Sequence, residues 1–275
     1  MREGFAAKHA FWHNRQPTYL TERRTRDVKN IGNTILITGG GSGIGQALAH
    51  RWHDAGNHVI ITGRRQQVLD EAIAGRERMA AYALDVTAAD DVEAFARRVV
   101  SEHPQLNILV NNAGVYSAEK ITSHRDISDA ERMIQTNIIG PIRITNALID
   151  HLSAQADAAI INVSSGLAFV PYPAAPTYSA TKAAIHSYTA AIRPLLKGKV
   201  EVIEIVPPQV QTELSPGQSE DPNSMPLDAF ADEVMALLHA AIPPAEVCVE
   251  GVRYFREAEA KGHFDDALQM LVEHS

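Results

Sequence analysis

Tyr178-Ser179-Ala180-Thr181-Lys182, with Ser165 thirteen residues before the tyrosine, is the segment of this chain best suited to move a proton. Positions i and i+4 of a helix lie on one face, so the phenol of Tyr178 and the ammonium of Lys182 point into one site. A free tyrosine has a pKa of about 10 and is a poor acid or base at neutral pH, whereas a nearby cation favours the phenolate. Bringing that pKa to about 7 takes roughly 4 kcal/mol of differential stabilisation. The spacing therefore suggests a proton donor tuned by its neighbour, although Tyr-x-x-x-Lys also arises by chance on amphipathic helices.

Thr38-Gly39-Gly40-Gly41-Ser42-Gly43-Ile44-Gly45 lies between an apolar run and a helical pattern. Glycines there permit a tight turn and close approach of a pyrophosphate, which a helix N-terminus stabilises. The strand-turn-helix context favours a phosphate site over a Gly-Ser linker. The next apolar run ends in Thr62-Gly63-Arg64-Arg65. A dinucleotide fold that prefers NAD places an acid at this point for the ribose 2′-hydroxyl. Two guanidinium groups stand there instead, and Arg64 offers a fork to a 2′-phosphate, so the expected cofactor is NADP(H). Solvated arginines at a helix start are the plainer alternative.

Further along, Asp85-Val86 fits either an adenine contact or a turn aspartate. Asn111-Asn112-Ala113-Gly114 either lets a cofactor approach the backbone or simply ends a strand. Asn137 interrupts an apolar helix face and needs a partner, a held water or a core group. Twelve histidines invite a metal, but no His-Glu-x-x-His or comparable cluster occurs, so no metal is expected.

These residues need a frame. Apolar runs at 34–38, 58–62, 80–84, 107–111, 159–163 and 200–206 read as strands. Helical patterns at 44–55, 66–74, 88–101, 126–151 and 178–196 alternate with them. Strands apolar on both faces and strict alternation imply an α/β fold, a doubly wound parallel sheet covered by helices. Its ligands bind beyond the carboxyl ends of the strands. Residues 215–226 read as a flexible loop, 227–241 as a helix, 246–249 as a short last strand and 253–273 as a charged helical tail. Residues 31–275 are expected to form one domain, and the basic segment 1–30 an extension.

With 45% hydrophobic and 21% charged residues the composition is that of a globular protein, and a net charge of −8 argues against nucleic acid or anionic membranes as partners. A single cysteine, Cys248, excludes an internal disulfide framework and fits a reducing, cytoplasmic location. No run of about 18 apolar residues suggests a membrane span.

Taken in order, Thr38 to Gly45, Asp85, Asn111 to Gly114, Asn137, Ser165, Tyr178 and Lys182 resemble the short-chain dehydrogenase/reductase family over about residues 33–212. Val163 to Pro171, Ala183 to Ser187, Glu204 to Pro208 and Glu257 to His263 resemble its DltE-type branch. The resemblance implies a Rossmann-type fold of about seven strands and hydride transfer from a nicotinamide. It makes Tyr178 the general acid/base and gives Lys182 the tuning role and a bond to the nicotinamide ribose. Ser165 is the holder of the carbonyl oxygen, and Asn137 holds a relay water. Thr212 matches a carboxamide contact. Pro207-Pro208 departs from the family's Pro-Gly and removes a donor near the nicotinamide. A homo-oligomer, dimer or tetramer, is implied, although the family's glycine-rich C-terminal segment is absent.

The expected reaction is interconversion of a carbonyl and an alcohol, with Val115, Tyr116, Phe169, Pro171, Tyr172 and residues 213–228 forming an apolar substrate pocket and a lid. Two alternatives are a non-catalytic NADP(H)-binding redox sensor and an epimerase or dehydratase that uses the nicotinamide transiently.

Overall fold

The computed structural model describes residues 29–240 and 243–273, so most of the 1–30 segment lies outside the described residues. The strands are β1 (Thr34–Thr38), β2 (His58–Gly63), β3 (Met79–Ala83), β4 (Leu106–Asn111), β5 (Ala159–Val163), β6 (Glu201–Val206) and β7 (Glu246–Cys248). Between them run α1 (Gly43–Asp54), α2 (Gln66–Ile73), α3 (Ala89–Glu102), α4 (Ser128–Ile134), α5 (Gly140–Ala154), α6 (Pro176–Leu196) and α7 (Leu227–Leu238). The sheet order is β3-β2-β1-β4-β5-β6-β7 and every pairing is parallel. The strand order reverses between β1 and β4, which opens a crevice at their carboxyl ends.

Alternation along each strand sends side chains to opposite faces. Ile35, Ile37, Ile61, Val110 and Ile161 meet Leu48 and Trp52 of α1 and Phe230 and Val234 of α7. Leu36, Ile60, Leu109 and Ile160 meet Val92 and Phe95 of α3 and Ile144 and Leu148 of α5. Both faces are therefore covered, the condition under which a parallel sheet is stable.

Three expectations need correction. The helix expected over 126–151 is divided by a π turn at Gln135–Ile139, where the amide of Gly140 reaches back to the carbonyl of Gln135. Pro141 has no N–H to offer the carbonyl of Asn137, so the regular ladder cannot continue through that point. The 253–273 tail is three short helices, α8 (Arg253–Arg256), α9 (Ala258–Lys261) and α10 (Phe264–Glu273), with Ala258 and Ala267 buried beside Val170. The segment after β6 is laced rather than loose. Val210 bridges Met225, and Gln218 Nε2 donates to the Val210 carbonyl at 2.6 Å and to Thr212 Oγ1 at 3.2 Å. Among the described residues no helix is long and apolar enough to cross a membrane.

Candidate active site

At the crevice, the end of β1 is locked to the end of β4. Thr38 Oγ1 accepts from the amides of Asn112 and Ala113, both at 3.1 Å, and Asn112 Nδ2 donates to the carbonyls of Thr38 and Gly39 at 3.0 and 3.1 Å. Thr38 and Asn112 thus shape the glycine turn from behind. A Cβ at Gly45 would stand 2.3 Å from the Gly39 carbonyl oxygen, so α1 can start close under the turn only with glycine there. Gly39, Ser42, Gly43 and Ile44 line the resulting cleft of about 430 Å³, a volume suited to a cofactor or small ligand.

Arg64 and Arg65 stand exposed at the end of β2 and line both this cleft and an adjoining one that holds Gly41, Asp85 and Val86. Asp85 Oδ1 accepts from the amide and hydroxyl of Thr87 at 2.9 and 2.7 Å. Burial works against its charge, but those bonds and the Arg64 guanidinium hold the carboxyl below the usual range. Glycine cradle, helix N-terminus and paired guanidinium groups form a donor set that fits a phosphorylated dinucleotide.

The other end of the cleft carries Ser165, Tyr178 and Lys182 together with Ala113, Gly114, Val115, Tyr116 and Thr212. Ser165 caps a short 3-10 turn, its Oγ accepting from the Leu167 amide at 3.1 Å. Ser164 is spoken for, since its Oγ donates to Glu204 Oε1 at 2.5 Å. Glu119 carries the start of α6: its carboxylate accepts from the Thr177 amide at 2.7 Å and the Thr177 hydroxyl at 2.8 Å. An anion at that position also suits the helix dipole. Sequence reasoning missed Glu119, because its partner lies 58 residues away and no local pattern marks it.

Lys182 Nζ lies 5.6 Å from the centroid of the Tyr178 ring and donates to the Val163 carbonyl at 3.0 Å. The expected lowering of the phenol is absent. Burial first, and Tyr116 second, push Tyr178 upward, and the Tyr116 ring meets it edge-on at 5.1 Å between centroids. Burial lowers Lys182 to about 8, with the charge of Glu204 opposing.

Asn137 sits on the π turn as a satisfied core asparagine. Its Oδ1 accepts from the Val115 amide at 2.8 Å, and its Nδ2 donates to the Val115 carbonyl at 2.9 Å and to Thr181 Oγ1 at 3.1 Å. It braces the cleft wall beside Lys182 rather than lining the cleft. Phe169 is also elsewhere: its ring is 4.7 Å from that of His186 and 4.4 Å below the Arg256 guanidinium. Tyr172 packs in the cluster of Met133 and Tyr178 and is not on the cleft lining. The expected 213–228 segment does contribute, through Glu213, Leu214 and Gln218, and Arg132 joins them, so the lining is less apolar than expected.

A family model described as short chain dehydrogenase matches residues 33–223. The oxidoreductase DltE of Bacillus subtilis is 41% identical over 192 residues, 68% of this chain and 75% of that protein. A sulfoacetaldehyde reductase of Chromohalobacter salexigens is 36% identical over 186 residues, 66% of this chain and 74% of its own length. A short-chain dehydrogenase from Burkholderia cenocepacia, solved in complex with NADP, superposes with a TM-score of 0.75 at 24% identity, over 87% of this chain and 98% of that one.

Proposed function

This chain belongs to the short-chain dehydrogenase family, and from that premise we propose that it is an NADP(H)-dependent oxidoreductase interconverting a carbonyl and an alcohol. The observation that carries the reading is the convergence of Ser165, Tyr178 and Lys182 on the cleft that also holds the glycine turn and Arg64. When bound, the nicotinamide supplies or accepts the hydride. Gly39 to Gly45 and the α1 N-terminus hold the pyrophosphate, Arg64 and Arg65 the 2′-phosphate, and Thr212 and Lys182 the nicotinamide end.

The chain's own residues handle the oxygen and its proton. Ser165 and Tyr178 donate hydrogen bonds to the carbonyl oxygen, which are strongest once that oxygen carries developing alkoxide charge. Burial keeps the Tyr178 phenol protonated until that charge appears, and the phenol proton then passes to the more basic alkoxide. Lys182 faces the same ring and stabilises the phenolate that remains. Asn137 holds Val115 and Thr181 in register around this exchange.

The substrate end is cationic for a chain of net charge −8. Arg132 lines the cleft, and among the described residues its hydrogen-bond partner is the Ser117 hydroxyl at 2.9 Å rather than a carboxylate. Glu213 is the carboxylate on the cleft lining. We read the substrate as a small carbonyl compound with an anionic group held by Arg132, a class that includes the compound in the sulfoacetaldehyde reductase name. Family membership also supports a homo-oligomer, which sedimentation equilibrium decides.

Tyr178→Phe tests the core of the reading. It keeps the ring packing and removes the proton, so carbonyl-dependent NADPH oxidation should fall by at least about a hundredfold with NADPH affinity nearly unchanged. Undiminished turnover would sink the assignment.

A further inference from the structure

Directly behind the reacting groups lies a buried cluster of charge that the reaction as described does not use. Glu204 of β6 is fully buried, an unusual place for a carboxylate. Its Oε1 accepts from Ser164 Oγ at 2.5 Å, and its Oε2 from His186 Nδ1 at 2.9 Å. His186 follows Lys182 by four residues on α6, so Tyr178, Lys182 and His186 descend one face of the helix. Beyond it Glu246 of β7 is also buried, its Oε2 accepting from Arg256 Nε at 2.7 Å and its Oε1 left without a hydrogen-bond partner.

Ligand atoms of His186, Glu204 and Glu246 lie within 4.8 Å of one another, close enough for a divalent cation. The cations already present make that reading unnecessary. Arg256 balances Glu246, and His186 Nδ1 bonds the Glu204 carboxylate. Burial opposes the imidazolium, but the hydrogen bond and charge of Glu204, with the charge of Glu246, outweigh burial and the repulsion of Arg256.

Lys182 has no carboxylate within ion-pairing distance among the described residues; it donates to a backbone carbonyl. A buried ammonium in that position needs a counter-charge. We infer that Glu204 is a positioning residue for the reaction: through Ser164 it fixes the strand end that carries Ser165, and it supplies, shared with His186, the negative charge that keeps Lys182 a cation. The inference rests on the proposed roles of Tyr178 and Lys182. Lys182 faces the Tyr178 ring of α6, feels the charge of Glu204 of β6 and donates to the Val163 carbonyl. Glu246, Cys248 and Arg256 surround the far side of the Glu204–His186 pair, and Tyr116 adjoins Tyr178.

The test is the alkaline limb of the reduction profile, where loss of the Lys182 proton ends activity. Glu204→Gln removes the counter-charge, so the limb moves to lower pH by about one unit or more. Glu204→Asp keeps the charge and moves it less. His186→Asn removes the ring that shares the Glu204 carboxylate, so more of its charge acts on Lys182 and the limb moves to higher pH. The same order is expected without cofactor, from the pH at which urea-unfolding stability begins to rise as folded Lys182 deprotonates. Damage to packing lowers activity at every pH and cannot move the limb in opposite directions. If Glu204→Gln does not fold, the order Glu204→Asp, wild type, His186→Asn still decides. A limb that stays at the wild-type pH in these variants, or moves the same way in all, overturns the role of Glu204. Full turnover in Tyr178→Phe would instead overturn the reading beneath it.

Discussion

Lys182 donates from Nζ to the carbonyl of Val163 at 3.0 Å, which ties the middle of α6 to the last residue of β5. Ser165 follows Val163 by two residues, so one hydrogen bond sets the separation between the serine and the tyrosine–lysine face. That bond is made by a buried charge, and the buried charge costs stability.

The cost can be measured. Folded Lys182 titrates near 8, below the ordinary lysine value of about 10.4, so between those values the unfolded chain binds more protons. Stability therefore rises with pH through that window, and at pH 7 the buried ammonium costs up to about 3 kcal/mol. Lys182→Met should raise the urea-unfolding free energy at pH 7 by about 1 to 3 kcal/mol while abolishing turnover. A variant that is both inactive and less stable would contradict this account of the site.

Cofactor choice is assigned to the end of β2. Arg64 acts on Asp85 through its charge and lines both parts of the cleft. Arg64→Ala should weaken NADPH by roughly tenfold to a hundredfold, the range of a lost charge-assisted hydrogen bond, and NADH by no more than about threefold. Fluorescence titration with both nucleotides reads the ratio, and equal losses would remove the 2′-phosphate role.

His186 sets a second, opposite pH dependence. Its folded pKa lies above the ordinary value of about 6.5, because the Glu204 hydrogen bond and the carboxylate charges outweigh burial. The resulting stabilisation is fully present below about pH 6.5 and is lost as pH rises through the folded value. His186→Asn should be less stable than wild type at pH 6, with the gap narrowing above the folded histidine pKa. Urea unfolding at several pH values checks it, and a gap independent of pH would mean that only packing was lost.

Periodicity and turn chemistry carried most of the frame. The runs at 34–38 and 159–163 are β1 and β5 as the sequence reads them, because buried parallel strands are apolar on both faces. Motif order likewise led to Ser165, Tyr178, Lys182 and the glycine turn. What stayed hidden depends on partners distant in sequence. Glu204 interrupts an apolar strand, and nothing local announces that Ser164 and His186 meet it. Phe169 reads as a pocket residue until the tail folds back to set Arg256 on its ring. A Cβ at Gly166 would stand 2.7 Å from Val252 Cγ2, so that return of the chain favours glycine beside Ser165.

Arg132 is the residue proposed to select the kind of carbonyl the cleft takes. It is exposed on α4, lines the cleft with Tyr116 and bonds Ser117 rather than a carboxylate. A guanidinium in that position gains most from a ligand anion, which accepts two of its N–H groups at once. Arg132→Ala should therefore lower kcat/KM for sulfoacetaldehyde by roughly tenfold to a hundredfold. For propionaldehyde, a neutral aldehyde of similar size, the change should stay within about threefold. Most of the loss should appear in KM, since the anion is held equally in substrate and transition state. If both aldehydes lose equally, Arg132 shapes the wall without reading charge. If propionaldehyde is the better substrate of the wild type, the apolar pocket expected from the sequence is the correct description.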